Sequence, residues 1–244
     1  MTTTIPDNVT TVLTSCGRWD FLVVSLDTFL AHHKPGRFIL VEDSADHEFA
    51  ARIQERYPQI EVVLNDPRLG QHKAIDRIYA MIDTPYILHL EDDWHFLGEM
   101  DIADGIKVLD SNPAGITAVC FARFTGLKKR QRIFGRKVDH DGRPYMHMGR
   151  SHREWHGFSF YPSVLRKDLW IEHGPYAKFQ NERAISKHMK AAGKEMVYQL
   201  PGVGVHVGSG KSVYDPARAN ENRRVTGAFW SRLFGRKRYF FDKG

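Results

Sequence analysis

The stretch Pro85-Tyr86-Ile87-Leu88-His89-Leu90-Glu91-Asp92-Asp93-Trp94 decides the fold. Its first six residues have the composition of a strand buried on both faces, and three carboxylates follow without a spacer. Adjacent negative charges repel, so a positive group is expected beside them. In open α/β sheets ligands bind at the carboxyl ends of the strands, where a divalent cation carried on a diphosphate would answer the need. An acidic turn leading into a helix is the plainer alternative, since Asp and Glu are favoured in a first turn.

Toward the N-terminus of that strand, the chain alternates. Residues 9–14 are β-branched and apolar, and residues 20–29 place Phe21, Val24, Leu26 and Phe29 at roughly helical spacing. Residues 37–41 read as strand, 46–57 as a helix stopped by Pro58, 60–64 as strand and 71–81 as helix. Strands separated by helices of this length predict βαβ units and a mostly parallel, buried sheet. The second half is less regular. Residues 116–121 read as strand, and a polar, basic, Gly-containing segment without periodicity covers 123–153. Extended structure resumes at 158–161, residues 182–192 form a helix closed by Gly193, and 196–200 and 203–207 read as short strands.

The 244 residues are 42% hydrophobic and 26% charged, which excludes collagen, coiled-coil, disulfide-scaffold and disordered classes. No apolar run approaches the roughly 18 residues of a membrane span, and the opening Met-Thr-Thr-Thr lacks the basic start of a signal peptide. The expected compartment is therefore the reducing cytoplasm, with Cys16 and Cys120 as buried free thiols. The net charge of +6 is unevenly placed: residues 208–244 hold nine basic against three acidic side chains, and residues 123–153 hold ten against two. An acidic body with two basic excursions suggests an anionic partner.

Four segments occur in a telling order: Val12-Leu13-Thr14-Ser15-Cys16-Gly17-Arg18, Ile39-Leu40-Val41-Glu42-Asp43-Ser44, Leu69-Gly70-Gln71-His72-Lys73-Ala74 and Leu90-Glu91-Asp92-Asp93. Together they resemble the landmarks of family 2 glycosyltransferases with the GT-A fold. Downstream, Phe179-Gln180-Asn181-Glu182 before a helix resembles that family's Glu-Asp segment, and His206 its late histidine. The resemblance covers roughly residues 9–212. It implies a nucleotide-diphosphate sugar donor held by Thr14, Ser15, Arg18, Asp43, Lys73, Glu91 and Asp92. It implies Mn²⁺ or Mg²⁺ on Asp93 and His206, and Glu182 as the base that takes the acceptor proton. Here Asn181-Glu182 replaces the family's Glu-Asp, so the base would carry one more methylene.

On that footing residues 1–212 form one GT-A-like domain, with a nucleotide-binding half to about residue 95 and an acceptor half from 96. Residues 213–244 form a basic, aromatic tail suited to an anionic membrane surface. The usual acceptors of such enzymes are saccharide or lipid-linked, which implies bacterial surface polysaccharide or lipopolysaccharide assembly at the cytoplasmic membrane face. Aromatic rings can pack on sugar faces, and Trp155 with His156 is the first choice for the acceptor platform, ahead of Trp94 and Tyr161. A sugar-nucleotide nucleotidyltransferase would need the same acids and metal. A nucleic-acid-binding module fits the pI but not the acidic body, and it lacks an RNA-binding motif. Two look-alikes are set aside: Gly208-Ser209-Gly210-Lys211-Ser212 lacks the first glycine of a phosphate loop, where Val205 stands. His32-His33 is expected on a solvated helix end.

Overall fold

The computed structural model describes residues 2–127, 132 and 134–208. In chain order its first half contains β1 (Thr3–Thr4), β2 (Val9–Ser15), α1 (Trp19–His32), β3 (His33–Lys34), β4 (Phe38–Glu42), α2 (His47–Arg56), β5 (Glu61–Leu64), α3 (Gln71–Ala80), β6 (Tyr86–Glu91) and β7 (Trp94–Phe96). There follow α4 (Ile102–Ser111), β8 (Ile116–Cys120), β9 (Arg136–His140), β10 (Arg143–His147), β11 (Ser163–Arg166), α5 (Lys167–His173), α6 (Glu182–Ala191), β12 (Glu195–Gln199) and β13 (Gly204–His206).

One sheet runs β5-β4-β2-β6-β11-β8-β12-β10-β9. Its first four strands pair in parallel, as the alternating pattern predicts. β11 pairs antiparallel with both β6 and β8, and β10 pairs antiparallel with both β12 and β9, so seven strands point one way and β10 and β11 the other. The parallel half is apolar because it is buried: β4, the middle of β6 and all of β2 except Thr14 lie out of solvent. α1 contributes Phe21, Leu22, Leu26 and Phe29 to that core, a stripe one and two turns apart. The same hydrophobic cluster continues through Val119, Tyr145, Met189 and Tyr198, so the two halves share one core.

Local chemistry fixes the ends. Asp46 accepts a hydrogen bond from Phe49 N at 2.9 Å and starts α2, while Asn181 accepts from Ala184 N at 3.0 Å and starts α6. Three differences from the sequence reading have physical causes. The basic segment at 123–153 contains the β9–β10 hairpin, closed by Asp141 and Gly142 at φ 53° and 85°. Residues 158–161 join no strand; the strand is Ser163–Arg166, one step later, wedged between β6 and β8. His33 is not solvated: its ring is 1% exposed, Nε2 accepts from Met100 N at 3.0 Å, and burial lowers its pKa to about 4. Cys16 and Cys120 are both free thiols, and burial raises them to about 11 and 12. The aromatic tail at 213–244 lies outside the described residues. Among those described, no helix is long and apolar enough to cross a membrane.

Candidate functional site

β2, β4 and β6 end along one edge of the sheet, in Ser15, Glu42 and Glu91. Asp92 N donates to Thr14 O at 3.1 Å and Asp43 N to Ser15 O at 2.9 Å, so the three strand ends are stitched together beyond the last ladder bonds. Gly17, at φ 65°, turns the chain after β2 and donates its N–H to Glu42 Oε1 at 2.8 Å. That turn delivers Arg18. Its guanidinium spans two carboxylates, with Nε donating to Asp92 Oδ2 at 3.1 Å, Nη1 to Asp93 Oδ2 at 3.0 Å, and Nη2 to Asp92 Oδ1.

The positive group that the acid run demands is therefore Arg18. Burial opposes its charge, but the two carboxylates outweigh that and hold it more basic than a free arginine. Burial raises the Asp92 carboxyl despite the arginine. Asp93 goes the other way: burial would raise it, but the His206 and Arg18 contacts hold it below the ordinary range.

His206 reaches Asp93 through register. β13 pairs antiparallel with β7, placing His206 opposite Trp94, and Val207 N donates to Asp93 O at 2.8 Å. His206 Nε2 lies 3.3 Å from Asp93 Oδ2, and its ring packs on Trp94 at 5.1 Å between centroids. Gly208 has to be a glycine, since a Cβ there would meet Asp93 Oδ2 at 2.3 Å.

Glu91 and Glu182 complete the cluster. Gln71 Nε2, in the first turn of α3, donates to Glu91 Oε1 at 3.1 Å, and Trp94 Nε1 donates to Oε2 at 3.3 Å. Burial raises the Glu91 carboxyl well above its usual value, and the charges of Asp93 and Glu182 raise it further. Glu182, first residue of α6, accepts from Ser159 Oγ at 2.5 Å and from Phe160 N at 3.4 Å, both on Oε1. Burial raises it too, and those two donors only partly offset the effect. Tyr161 packs edge-on to Trp94 at 5.0 Å and senses Glu182, Glu91 and Asp93.

Arg18, Glu91, Asp92, Asp93, Glu182 and His206 are thus brought together as the sequence predicts. Thr14 and Ser15 end β2 at the same edge, where their carbonyls hold the neighbouring strand ends. Asp43 is spent on a loop: Oδ1 accepts from Asn65 Nδ2 at 2.9 Å and Leu69 N at 2.8 Å, and Oδ2 from Gly70 N at 2.8 Å. Lys73 is exposed on α3. It follows Gln71 by two positions, about 200° around the helix, so the two cannot face one site. The helical phase was the signal for choosing Gln71. His156 is 6% exposed, in the left-handed region at φ 67°, with its ring against Tyr198 at 5.9 Å, while Trp155 is half-buried. The rings beside the carboxylates are Trp94 and Tyr161.

Among the described residues, no group of three or more His, Cys, Asp or Glu is placed to hold a metal ion. Asp93 and His206 make a pair. Asp93 Oδ1 is buried with no hydrogen-bond partner, and an oxygen with an imidazole nitrogen is a donor set that suits Mn²⁺, so the residues fit a metal completed by oxygens of a bound diphosphate.

No family model matches the chain, and no curated protein matches it in sequence. Solved structures do match. The crystal structure of GalNAc-T7 with UDP, GalNAc and Mn²⁺ superposes with a TM-score of 0.54 over 81% of this chain, at 11% identity. S. aureus TarS 1–349 superposes with a TM-score of 0.50 over 78%, also at 11% identity. The chain spans 43% of the first structure and 60% of the second. With the edge geometry and the sheet order, these likenesses give the chain the GT-A glycosyltransferase fold.

Proposed function

We propose that the chain transfers a sugar from a nucleotide-diphosphate donor to a hydroxyl acceptor, with inversion, as family 2 glycosyltransferases do. One observation carries the reading: α6 returns Glu182 from far along the chain to the carboxylate edge, with a pKa above the ordinary range. An inverting transfer needs one carboxylate near the acceptor hydroxyl, and a raised pKa suits proton removal near neutral pH. Ser159 and Phe160 hold Oε1 and fix the side chain, and among the described residues Oε2 carries no hydrogen bond. Oε2 takes the acceptor proton as the hydroxyl oxygen attacks the anomeric carbon and the nucleotide diphosphate leaves.

Asp93 and His206 would hold Mn²⁺ or Mg²⁺, which when bound neutralises charge on the departing diphosphate. Arg18, bound to both Asp92 and Asp93, fixes those carboxylates at the same edge. Tyr161, half-buried and packed on the buried Trp94, offers a ring beside Glu182 for the acceptor sugar. A saccharide or lipid-linked acceptor, met at the cytoplasmic membrane face during bacterial surface polysaccharide or lipopolysaccharide assembly, is the setting we infer from the family resemblance.

Glu182→Gln tests the base. Donor binding should survive while transfer falls by roughly two to four orders of magnitude. In the wild type, transfer should fall with decreasing pH through a pKa displaced above that of free glutamate, because the deprotonated form is the active one. Transfer by Glu182→Gln within a few-fold of wild type would refute the assignment. Release of pyrophosphate with formation of a sugar nucleotide would replace it with nucleotidyl transfer.

A further inference from the structure

At the opposite end of the sheet from the parallel half, β9, β10 and β12 meet the last turn of α6 around a hollow of about 390 Å³. Arg136, Arg150, Lys190 and Lys194 line it, with His147, Glu195 and two glycines. Among the described residues none of these four cations lies within 4.0 Å of a carboxylate, whereas Arg18, Arg37, Arg56, Arg143, Arg166 and Arg183 are all ion-paired.

The one carboxylate in the hollow is already engaged. Glu195 Oε1 pairs with His147 Nδ1 at 2.9 Å, and Oε2 accepts from Gly149 N at 2.5 Å. These contacts hold Glu195 ionised, below its ordinary range, although burial opposes this. Lys194 Nζ donates to Ala114 O at 2.9 Å and Lys190 Nζ to Gly149 O at 2.5 Å, which leaves each ammonium two further donors. The carboxyl end of α6 carries roughly half a negative charge. That partial charge and Glu195 together leave a surplus of more than two positive charges in one concavity. Burial lowers the Lys190 pKa, a cost that an incoming anion would relieve.

We propose that this hollow is a binding site for a phosphate-type oxyanion, separate from the carboxylate edge. Two planar guanidiniums and two ammoniums around a small cavity match the several oxygens of a phosphate or diphosphate group better than a single carboxylate. The proposal stands whether or not the chain transfers sugars.

The test is calorimetry of the full chain with inorganic pyrophosphate in excess chelator, comparing wild type, Arg136→Ser/Arg150→Ser and Arg18→Met. Saturable binding that weakens at least tenfold in the double variant and persists in Arg18→Met is expected. Thermal melts of the double variant should match wild type, because neither arginine holds an ion pair; if it melts early, Lys190→Gln replaces it in the same comparison. A parallel flotation arm uses phosphatidylglycerol vesicles against phosphatidylcholine vesicles. Variant-sensitive binding of pyrophosphate supports a soluble phosphate ligand, and variant-sensitive flotation alone supports a lipid headgroup phosphate. Wild-type binding in neither arm, binding indifferent to the double variant in both, or pyrophosphate binding lost only in Arg18→Met would overturn the proposal.

Discussion

The two ends of the sheet handle charge in opposite ways. At the carboxyl edge of β2, β4 and β6, Glu91, Asp92, Asp93 and Glu182 gather, with Arg18 bound to Asp92 and Asp93, and burial raises three of the four. At the β9–β10 end, four cations surround one carboxylate that His147 and Gly149 already occupy. The first arrangement stores repulsion that a positively charged ligand would relieve, and the second stores the opposite. Charge imbalance held in a rigid scaffold costs stability, which is why both ends are the candidate binding sites proposed above.

The sharpest way to break this comparison is at Asp93. Asp93→Ala removes the oxygen that His206 and Arg18 share, and leaves Arg18 bound to Asp92. Transfer should fall by two orders of magnitude or more, about the loss seen when one electrostatic stabiliser is removed. Mn²⁺ binding in the presence of a nucleoside diphosphate, followed by the loss of the free-ion paramagnetic resonance signal, should vanish with it. Pyrophosphate binding in chelator should be unchanged. Equal loss of both would make the two ends one site.

A smaller effect tests stored repulsion directly. Glu91→Gln keeps the shape, and its amide can still accept from Trp94 while Gln71 flips to meet it. Because burial raises the folded-state pKa above the unfolded value, the native carboxyl contributes its full stability only below the unfolded pKa. That stability is lost as pH rises through the window up to the folded pKa, so above the window the charged form is a standing cost. Glu91→Gln should therefore raise the melting temperature by roughly 5 °C at pH 8, with the gain shrinking to nothing near pH 4. A variant that melts earlier at pH 8 would mean that the Gln71 and Trp94 bonds outweigh the repulsion.

The two ends also differed in how much of them could be read. At the acid edge, repulsion among Glu91, Asp92 and Asp93 is a local property of adjacent residues, and the βαβ pattern puts their strand at the ligand edge. Glu91, Asp92 and Asp93 followed from that local reading, and Arg18, Glu182 and His206 from the resemblance of their segments to family 2 glycosyltransferases. Contacts fixed by distant parts of the chain were hidden: Ser159 on Glu182, and the loop around Asp43, both depend on where β11 and the 65–70 turn settle. His156 was misjudged because a ring in a basic segment looks exposed, yet Tyr198 from β12 lies against it. The hairpin was legible and missed. Asp141-Gly142 between two five-residue runs is a two-residue turn signal, masked by the charges on either side.

That turn supplies the smallest and most local test. Gly142 sits at φ 85° with open space where a Cβ would go, so Gly142→Ala meets no neighbour and costs only the left-handed conformation. The cost should be about 1 kcal/mol, or roughly 2–4 °C in melting temperature for a domain of this size. The hairpin sets the register that places Arg136 opposite His147, and hence at the rim of the basic hollow. Loosening the turn should weaken pyrophosphate binding by a few-fold while donor hydrolysis, which depends on β2, β4 and β6, stays within twofold. If hydrolysis falls in step with pyrophosphate binding, the hairpin is coupled to the carboxylate edge through β10 and β12. The opposite charges at the two ends would then belong to one ligand rather than two.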